Sequence, residues 1–315
     1  MLSVSVIIAT YNRPDDLRAC IESLLKQSTL PQELIIVDDG ALDEVPLEAE
    51  CTSAGIRCVY RRKDGNPGLT RSRNIGIDLA DGDVFLFLDD DTVLSEDFLR
   101  HLVALYETDP EHTIGGVGGV ITNHKPVTPG RRLRYWLDIP LLNSGFVEGH
   151  VLPSGFFTSY GTTGKPETVV RDVDFLSGSA MSYRREVCRE LRFDEEHFSQ
   201  YSYGEDKDYS FRVSLKWRLL LHPEMRYLHL EAKSMRPNVE RMGYMYVVSR
   251  YLLFSRYLKQ DFVHRLAFAY ALSGYILVRS LITLFSPHKL GLELTRMRGI
   301  FRGTRAILAG DLKVQ

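Results

Sequence analysis

Three consecutive aspartates, Asp89, Asp90 and Asp91, follow an apolar segment at residues 84–88. Because side chains alternate along an extended strand, the first and third carboxylates can share one face while the second points elsewhere. Two carboxylates on one face repel each other unless a cation or hydrogen-bond donors lie between them. Mg²⁺ or Mn²⁺ bridged to the phosphates of a substrate satisfies that requirement. A solvated acidic turn is the alternative, and three acids directly after an apolar strand favour the metal site.

The elements that must position these aspartates alternate between strands and helices. The sequence predicts strands at residues 4–9, 34–37, 58–60 and 84–88, and helices that begin at Pro14, cover 69–80, and cover 95–106 with Ser95 as the cap. This alternation is typical of an α/β fold with an open, mostly parallel sheet flanked by helices. Ligands of such sheets bind beyond the carboxyl ends of the strands. The acidic residues expected at those ends are Asp38, Asp39, Asp89 and Asp91.

The rest of the chain divides into a loop-rich middle, a second ordered stretch and a helical end. Residues 122–170 are rich in Gly, Pro and aromatic residues and are expected to form loops. Order returns with extended segments within 173–183, 219–222 and 226–230, and with helices near 184–191 and 205–216. Helical patterns then cover 244–258 and 266–285. We therefore expect a first domain at residues 1–232 and a helical region at 233–315.

The composition is that of an ordinary globular protein. Of 315 residues, 44% are hydrophobic and 25% are charged, which argues against disorder. The 4 cysteines contain no C-x-x-C pair. This excludes a disulfide scaffold, argues against a structural zinc site and fits a reducing cytoplasm. The N-terminal apolar segment has no basic residues before it and is not expected to be a signal peptide.

Charge is balanced over the whole chain but not along it. Residues 233–315 contain 14 Lys or Arg and 4 Asp or Glu, a net charge of +10, whereas residues 1–232 carry −12. This asymmetry predicts an acidic body and a basic C-terminal region with a partner of its own. No recognised nucleic-acid-binding module accompanies the basic region, so nucleic acid is not an expected partner.

Four segments of the chain resemble the successive signatures of family 2 glycosyltransferases. They are VIIATYNR at residues 6–13, IVDDG at 36–40, RNIG at 73–76 and FLDDD at 87–91. The resemblance covers about residues 4–230, in the same order and spacing. It implies the GT-A fold, a Rossmann-like α/β architecture. It also implies a nucleoside-diphosphate-sugar donor, Mg²⁺ or Mn²⁺ as cofactor, and inversion at the anomeric carbon.

On the donor side, the resemblance implies a nucleotide pocket lined by Thr10, Tyr11, Arg13, Asp39, Arg71 and Asp89. Within that set Asp39 would hold the base; a turn-forming residue at the strand end is the alternative. Arg71 lies at the start of a predicted helix, where a cation suits a diphosphate, and a solvated surface arginine is its alternative. In the Asp-x-Asp motif, Asp89 would contact the ribose or the metal. Asp91 would be the main metal ligand.

On the acceptor side, the segment FLSGSAM at residues 175–181 resembles the family's glycine-containing segment, which implies a role for Gly178. Glu205 and Asp206 match the family's Glu-Asp pair at a helix start. The resemblance makes Asp206 the general base and Glu205 an orienting residue, with helix capping as the alternative. His229 matches, better than His222, a late histidine that some family members use as a metal or diphosphate contact. A structural histidine is the alternative.

The implied reaction transfers a hexosyl group to a hydroxyl of a saccharide or lipid-linked acceptor, in polysaccharide or glycolipid synthesis. Asp206 would take the proton of that hydroxyl, while the metal and Arg71 neutralise the departing diphosphate. The alternative function is a non-catalytic nucleotide-sugar-binding or membrane scaffold protein. A nucleotidyltransferase is disfavoured because no Gly-rich loop with a following Arg and Lys comes after the first strand. A dehydrogenase is disfavoured because no G-x-G-x-x-G comes after it.

The basic C-terminal region has three interpretations. Residues 266–285 are long enough to span a bilayer, but Arg279 and several small polar residues interrupt them. The mixture of basic and aromatic residues favours an interfacial helix on an anionic membrane surface. A helical appendage that packs on the first domain or forms a homodimer stays open, as does a spanning helix. The expected location is the cytoplasm, peripheral to the cytoplasmic face of the membrane.

Overall fold

The computed structural model describes residues 2–230, 238–285 and 287–314. Within these residues the strands form a single sheet with the order β3-β2-β1-β4-β8-β6-β9-β5, and β7 pairs with β9. The strands are β1 (Val4–Thr10), β2 (Glu33–Asp38), β3 (Arg57–Arg62), β4 (Val84–Asp89), β5 (Thr92–Leu94), β6 (Ile114–Ile121), β7 (Arg171–Val173), β8 (Ala180–Arg184) and β9 (Arg218–His229). The α-helices of the described residues are numbered in the same way, in chain order. They are α1 (Pro14–Leu25), α2 (Glu48–Ser53), α3 (Leu69–Leu79), α4 (Phe98–Glu107), α5 (Pro129–Asp138), α6 (Arg185–Glu190), α7 (Glu205–Ser214), α8 (Val239–Tyr257), α9 (Phe262–Phe285) and α10 (Leu290–Ala309).

The first half of the sheet is parallel. Strand β1 pairs in parallel with both β2 and β4, and β2 pairs in parallel with β3. Nearly every residue of β1, β2 and β4 is buried, as expected for strands covered on both faces. This arrangement brings the carboxyl ends of β2 and β4, and therefore Asp38 and Asp89, to the same edge of the sheet. The predicted α/β fold is confirmed.

The second half of the sheet is mixed. Strand β8 pairs antiparallel with β4 and β6, and β6 pairs in parallel with β9. Strands β5 and β7 pair antiparallel with β9. The segments predicted at residues 219–222 and 226–230 belong to the single strand β9. Pro223 falls between the two stretches of β9 that pair with β6, because proline has no N–H to donate.

The backbone contacts separate two compact units. Within the described residues, the first contains 2–124, 167–195 and 209–230, and the second contains 125–166, 196–208, 238–285 and 287–314. The expected boundary at residue 232 lies outside the described residues, as does the start of the basic region at Lys233. The division into residues 1–232 and 233–315 stays a prediction.

One hydrophobic cluster of the first unit lies on one face of the sheet. Side chains of α1 and α4, including Leu17, Ile21 and Leu102, are fully buried against strand residues such as Val6 and Leu86. Burying each such side chain contributes about 1.5–3 kcal/mol to folding. The second unit is helical, and its core joins α8, α9 and α10 through a set of buried side chains that includes Val247, Tyr275 and Ile300.

Several local predictions were wrong. Helix α4 begins at Phe98 with Asp97 at its N-cap, and Ser95 is not the cap. Ser95 instead donates its N–H to the Arg226 carbonyl beside β5, so tertiary pairing takes it out of the helix. Residues 129–138, within the stretch expected to be loops, form α5. Thr128 is its N-cap, and the Thr128 hydroxyl accepts the Arg131 N–H.

Candidate active site

Two aspartates and a histidine meet where β4 ends. Asp89 closes β4, Asp91 lies in the turn to β5, and His229 closes β9. Because Thr92 of β5 pairs with His229, the antiparallel β5–β9 ladder sets the imidazole beside Asp91. His229 Nε2 lies 3.2 Å from Asp91 Oδ1. One ligand atom from each of Asp89, Asp91 and His229 falls within 4.8 Å of the other two.

The chemistry of this donor set fits a divalent cation. The Asp91 side chain is 6% exposed, whereas those of His229 and Asp89 are 28% and 30% exposed. The cluster is therefore anchored in the protein and open to solvent on one side. Carboxylate oxygens suit Mg²⁺ and Mn²⁺, and a neutral imidazole adds a nitrogen ligand that Mn²⁺ accepts more readily than Mg²⁺. The residues present thus fit such an ion.

Asp90 points away from this cluster, as the alternation of side chains predicts. Its Oδ2 accepts a hydrogen bond from the Thr10 hydroxyl at 2.8 Å, and its Oδ1 pairs with Arg13 Nη1 at 3.0 Å. Burial raises the pKa of Asp90 to about 6, against the lowering effect of Arg13 and Thr10. Thr10 and Arg13, both predicted to line the nucleotide pocket, are therefore held against the aspartate turn.

Arg73 is a site residue whose role the sequence analysis missed. It is 3% exposed, and its Nη2 lies 3.3 Å from Asp89 Oδ1 and 3.0 Å from the Gly178 carbonyl oxygen. Arg73 thus links the metal-ligand candidate Asp89 to Gly178, which was predicted to lie on the acceptor side. The RNIG motif marks Arg73, but its partners lie 16 and 105 residues away in the chain.

The acidic pair at the end of β2 organises two loops. Asp38 accepts hydrogen bonds from the Gly40 N–H at 2.7 Å and the Leu42 N–H at 2.9 Å. Asp39 pairs with the Lys63 ammonium and accepts the Gly68 N–H, the residue before α3, at 2.9 Å. Asp39 is 7% exposed, so this predicted base-binding carboxylate is fixed in place by both partners.

The two remaining donor-side candidates lie at the margins of these loops. Arg71 is exposed on the first turn of α3, so its guanidinium is accessible from solvent. Tyr11 follows β1 and is half-buried. The next residue, Asn12, has φ 53° and accepts the Ala41 N–H at 3.0 Å, which ties the end of β1 to the loop after β2.

The second acidic cluster lies at the start of α7 and belongs to the second unit. Asp206 accepts hydrogen bonds from the Lys207 N–H at 2.9 Å and from Lys207 Nζ at 2.6 Å. Burial acts to lower the pKa of Lys207, but the Asp206 carboxylate outweighs it and the pKa is raised. Glu205 is 8% exposed. Asp208 is 2% exposed and accepts the Tyr257 hydroxyl at 2.8 Å.

His222 is not part of the cluster formed by Asp89, Asp91 and His229. Its ring lies 5.3 Å from that of His101 on α4. Burial, followed by the charge of His101, lowers the pKa of His222. The preference for His229 over His222 as a metal or diphosphate contact stays a prediction.

The sheet and the Asp-x-Asp turn define the class of protein: a GT-A glycosyltransferase fold with a candidate site at the carboxyl edge of its parallel strands. The family model "Glycosyl transferase family 2" matches residues 5–192. The chain belongs to this family.

Relatives share part of their length with this chain. The glucosyl-dolichyl phosphate glucuronosyltransferase of Haloferax volcanii is 34% identical over 122 residues, which cover 38% of each protein. The O-antigen chain rhamnosyltransferase RfbN of Salmonella typhimurium is 29% identical over 198 residues, covering 62% of this chain and 57% of RfbN. Each alignment thus spans less than two thirds of the relative.

Solved structures share the fold. The mannosyltransferase PcManGT of Pyrobaculum calidifontis, in complex with GDP-Man and Mn²⁺, is 14% identical with a TM-score of 0.57, covering 96% of this chain and 87% of that one. TarS residues 1–349 of S. aureus are 17% identical with a TM-score of 0.52, covering 98% of this chain and 92% of that one. At identities of 14% and 17%, the similarity shows that the fold is shared and nothing further.

Proposed function

We propose that this protein is an inverting, metal-dependent glycosyltransferase that moves a hexosyl group from a nucleoside-diphosphate sugar to an acceptor hydroxyl. The observation that carries the proposal is the meeting of Asp89, Asp91 and His229 within 4.8 Å at the carboxyl edge of the parallel strands. Two acids and an imidazole, open to solvent on one side, can hold a cation that also binds phosphate oxygens. PcManGT, which shares the fold, was solved in complex with GDP-Man and Mn²⁺, and this supports the same class of donor and metal here.

The donor would be held by residues around that cluster. Asp89, Asp91 and His229 would hold Mg²⁺ or Mn²⁺, which when bound neutralises charge on the diphosphate. Arg71, exposed on the first turn of α3, would supply a further positive charge to the leaving group. Asp39 would accept hydrogen bonds from the base, in the orientation fixed by Lys63 and Gly68.

The acceptor hydroxyl would lose its proton to Asp206. Asp206 lies in the first turn of α7, where the helix dipole favours a carboxylate over a carboxylic acid. A base that acts directly on the acceptor needs no covalent enzyme intermediate, so the sugar carbon is attacked once and its configuration inverts. The acceptor would be a saccharide or a lipid-linked saccharide in polysaccharide or glycolipid synthesis.

Thermal unfolding with UDP, GDP, dTDP and CDP, each with and without Mn²⁺ or Mg²⁺, tests the donor site. A matching nucleotide at about 100 times its Kd should stabilise the protein by about 2.7 kcal/mol, and only with metal. Asp91→Ala should abolish this stabilisation. The matched control is Asp172→Asn, since Asp172 forms an exposed ion pair with Arg218. Metal-independent stabilisation, or an unchanged response in Asp91→Ala, would contradict the proposed site.

Asp206→Asn tests catalysis separately from binding. The variant should keep the metal-dependent nucleotide stabilisation but lose at least about 100-fold in transfer, the range of a general base. Proton NMR of the product of the native enzyme should show an inverted anomeric configuration. A retained configuration, or near-native transfer by Asp206→Asn, would refute the assigned role. Nucleotide binding without any transfer would favour the scaffold alternative.

We further propose that the protein works at an anionic membrane surface. Helix α9 is the one helix among the described residues that is long and apolar enough to cross a membrane, by length and composition only, and 33% of its most apolar window is buried. Exposed apolar side chains lie along one side of α9: Phe262, Leu266, Tyr270, Leu277, Leu281 and Leu284. Exposed arginines, among them Arg265 and Arg298, complement anionic headgroups.

A further inference from the structure

The second unit contains a cavity of about 230 Å³. Its walls come from α5, from α8, from the loop that follows α5, and from Tyr203 just before α7. This volume is well above the roughly 30 Å³ of one water molecule and below the roughly 300–1,000 Å³ of pockets for drug-sized ligands. The cavity therefore suits a group of about the size of a single sugar ring.

The charged side chains that line the cavity are mostly cationic. Arg131 and Arg134 come from α5 and Arg250 from α8, against one carboxylate, Asp138. Arg134 Nε lies 3.4 Å from Asp138 Oδ2. Three guanidinium groups thus accompany one carboxylate in the cavity wall, a net charge of +2. A cavity with this balance favours an anion.

Arg250 is held rigidly and has no carboxylate partner among the described residues. It is 2% exposed, and its guanidinium carbon lies 3.3 Å from the centre of the Tyr246 ring and 4.3 Å from that of Phe157. Its Nη1 donates to the Tyr246 carbonyl oxygen at 3.2 Å, while its Nε is buried without a hydrogen-bond partner in the described structure. A buried guanidinium with an unmatched N–H is costly unless a ligand accepts from it.

Asn143 adds a second unmatched polar group to the same cavity. Asn143 is 5% exposed, and neither the oxygen nor the nitrogen of its amide has a hydrogen-bond partner within the described part of the chain. Asp138 Oδ1 is likewise buried and unmatched there. An amide that can donate and accept, beside a carboxylate that can accept, suits the hydroxyl groups of a sugar. Tyr135, Tyr203 and Tyr246 supply aromatic surface around them.

The cavity is linked to the predicted base. The ring of Tyr203, in its wall, has its centre 5.6 Å from Lys207 Nζ. That same Nζ lies 2.6 Å from Asp206 Oδ2. One side chain, Lys207, thus connects the wall of the cavity to the carboxylate assigned to deprotonate the acceptor.

We infer that this cavity is a subsite for the acceptor and that it selects a sugar unit carrying an oxyanion, either a carboxylate or a phosphate. The inference rests on the proposed function, because it assigns the acceptor of that same reaction. Arg134 and Arg250 bind the oxyanion, and Asn143 and Asp138 bind neighbouring hydroxyl groups. Charge-assisted hydrogen bonds from guanidinium groups provide both strength and geometry for such a group.

Calorimetric titration of the full protein with small probes tests the inference. The probes are methyl β-D-glucuronide, glucose 1-phosphate, the neutral methyl β-D-glucoside and inorganic phosphate. At least one charged sugar should bind about tenfold or more tightly than the neutral glucoside, since one charge-assisted hydrogen bond corresponds to that factor or more. The two charged sugars distinguish a carboxylate from a phosphate.

Two variants and one control make the result specific. Arg134→Gln and Asn143→Asp should each weaken binding of the charged sugar about tenfold or more; the second keeps the shape of the side chain and adds a repelling charge. Arg132→Gln, on the same helix but not in the cavity wall, should bind like the native protein. Circular dichroism confirms that each variant is folded.

Four outcomes would overturn the inference. They are absence of binding by both charged sugars, equal binding of the neutral glucoside, equal binding of inorganic phosphate alone, and unchanged binding in both cavity variants. Metal-dependent stabilisation by nucleotide is measured on the same samples. This measurement distinguishes failure of the acceptor inference from failure of the proposed function. If the nucleotide response persists and the probes fail, the acceptor inference is wrong and the glycosyltransferase proposal stands.

Discussion

The side chain of Lys207 contacts the carboxylate of the proposed base, Asp206. It pairs with Asp206 through both its N–H and its ammonium, and the two side chains are 14% and 10% exposed. An adjacent cation stabilises the ionised carboxylate and therefore lowers its basicity. Lys207 thus holds the Asp206 carboxylate in one orientation, and we predict that it acts as a positioning residue for the proposed base.

Replacing Lys207 with Gln should move the pH dependence of the reaction. The substitution removes the positive charge that lies 2.6 Å from the Asp206 carboxylate, so the acid limb of the kcat/KM profile should shift to higher pH. Lys207→Arg should restore the native profile. The control is Lys216→Gln, because Lys216 makes an exposed ion pair with Glu190. An acid limb that does not move in Lys207→Gln would show that Lys207 has only a structural role.

At the scale of elements, a buried ion pair joins the end of β8 to the turn between α4 and β6. Arg184, the last residue of β8, is 2% exposed and donates to Asp109 Oδ2 at 3.0 Å and to the Ile114 carbonyl at 3.0 Å. Asp109 also accepts the Ile114 N–H at 2.7 Å and the Thr113 N–H at 3.0 Å. Burial acts to raise the pKa of Asp109, but these donors outweigh it and lower the pKa to about 2.

Asp109→Asn should therefore destabilise the protein in a pH-dependent way. At neutral pH the variant should lose about 3 kcal/mol, the scale of a broken buried ion pair. Because the native pKa lies below the ordinary value of 3.8 for an aspartate, the stabilisation is complete above about pH 4 and is lost as the pH falls towards 2. Urea unfolding at several pH values measures this. An equal loss in the exposed control Asp172→Asn would contradict the assignment.

Helices α8 and α10 pack through glycine. A Cβ on Gly299 would meet the carbonyl oxygen of Glu240, whereas a Cβ on Gly291, in the same helix, would meet nothing within 4 Å. Gly299→Ala should force the helices apart and lower the free energy of unfolding by about 1–3 kcal/mol. Gly291→Ala should instead stabilise the protein by up to about 1 kcal/mol. Equal effects of the two substitutions would show that α8 and α10 do not pack closely in solution.

At the scale of the whole molecule, apolar exposure and positive charge occur in the same C-terminal region. Residues 233–315 carry a net charge of +10. Helix α9 buries Phe268, Tyr275 and Val278 in the core of the second unit. Its other side leaves Phe262 and Leu284 exposed by 79% and 72%. Such a combination fits attachment to an anionic surface by one side of a helix.

Flotation with lipid vesicles tests this attachment. The protein should float with phosphatidylcholine vesicles that contain phosphatidylglycerol, and less with phosphatidylcholine alone. The double variant Leu266→Glu and Leu277→Glu should reduce binding about tenfold or more, because burying one leucine contributes about 1.5–3 kcal/mol. Leu215→Glu, at a site 59% exposed in the first unit, is the control. Protein that stays unbound would refute attachment, and resistance to carbonate extraction would indicate a spanning helix.

The parallel half of the sheet and the residues at its carboxyl edge could be predicted from local sequence patterns. Strands β1, β2 and β4 are short apolar runs followed by polar residues, a local signal that needs no knowledge of partners. The alternation of side chains along a strand also predicted that Asp90 points away from the face shared by Asp89 and Asp91. The family motifs marked Asp206 and His229, whose catalytic and ligand roles stay predictions.

The remaining features depend on contacts between segments that are distant in the chain. Strand β6 has four glycines in eight residues, a composition that disfavours a strand, yet a Cβ on Gly119 would meet the Met225 carbonyl oxygen of β9. Close packing against β9 therefore accounts for a strand that the β-propensities of its residues do not predict. The partners of Arg73 and the walls of the cavity lie far apart along the chain. Such contacts form only when distant segments of the chain come together, and local sequence patterns do not specify which segments meet.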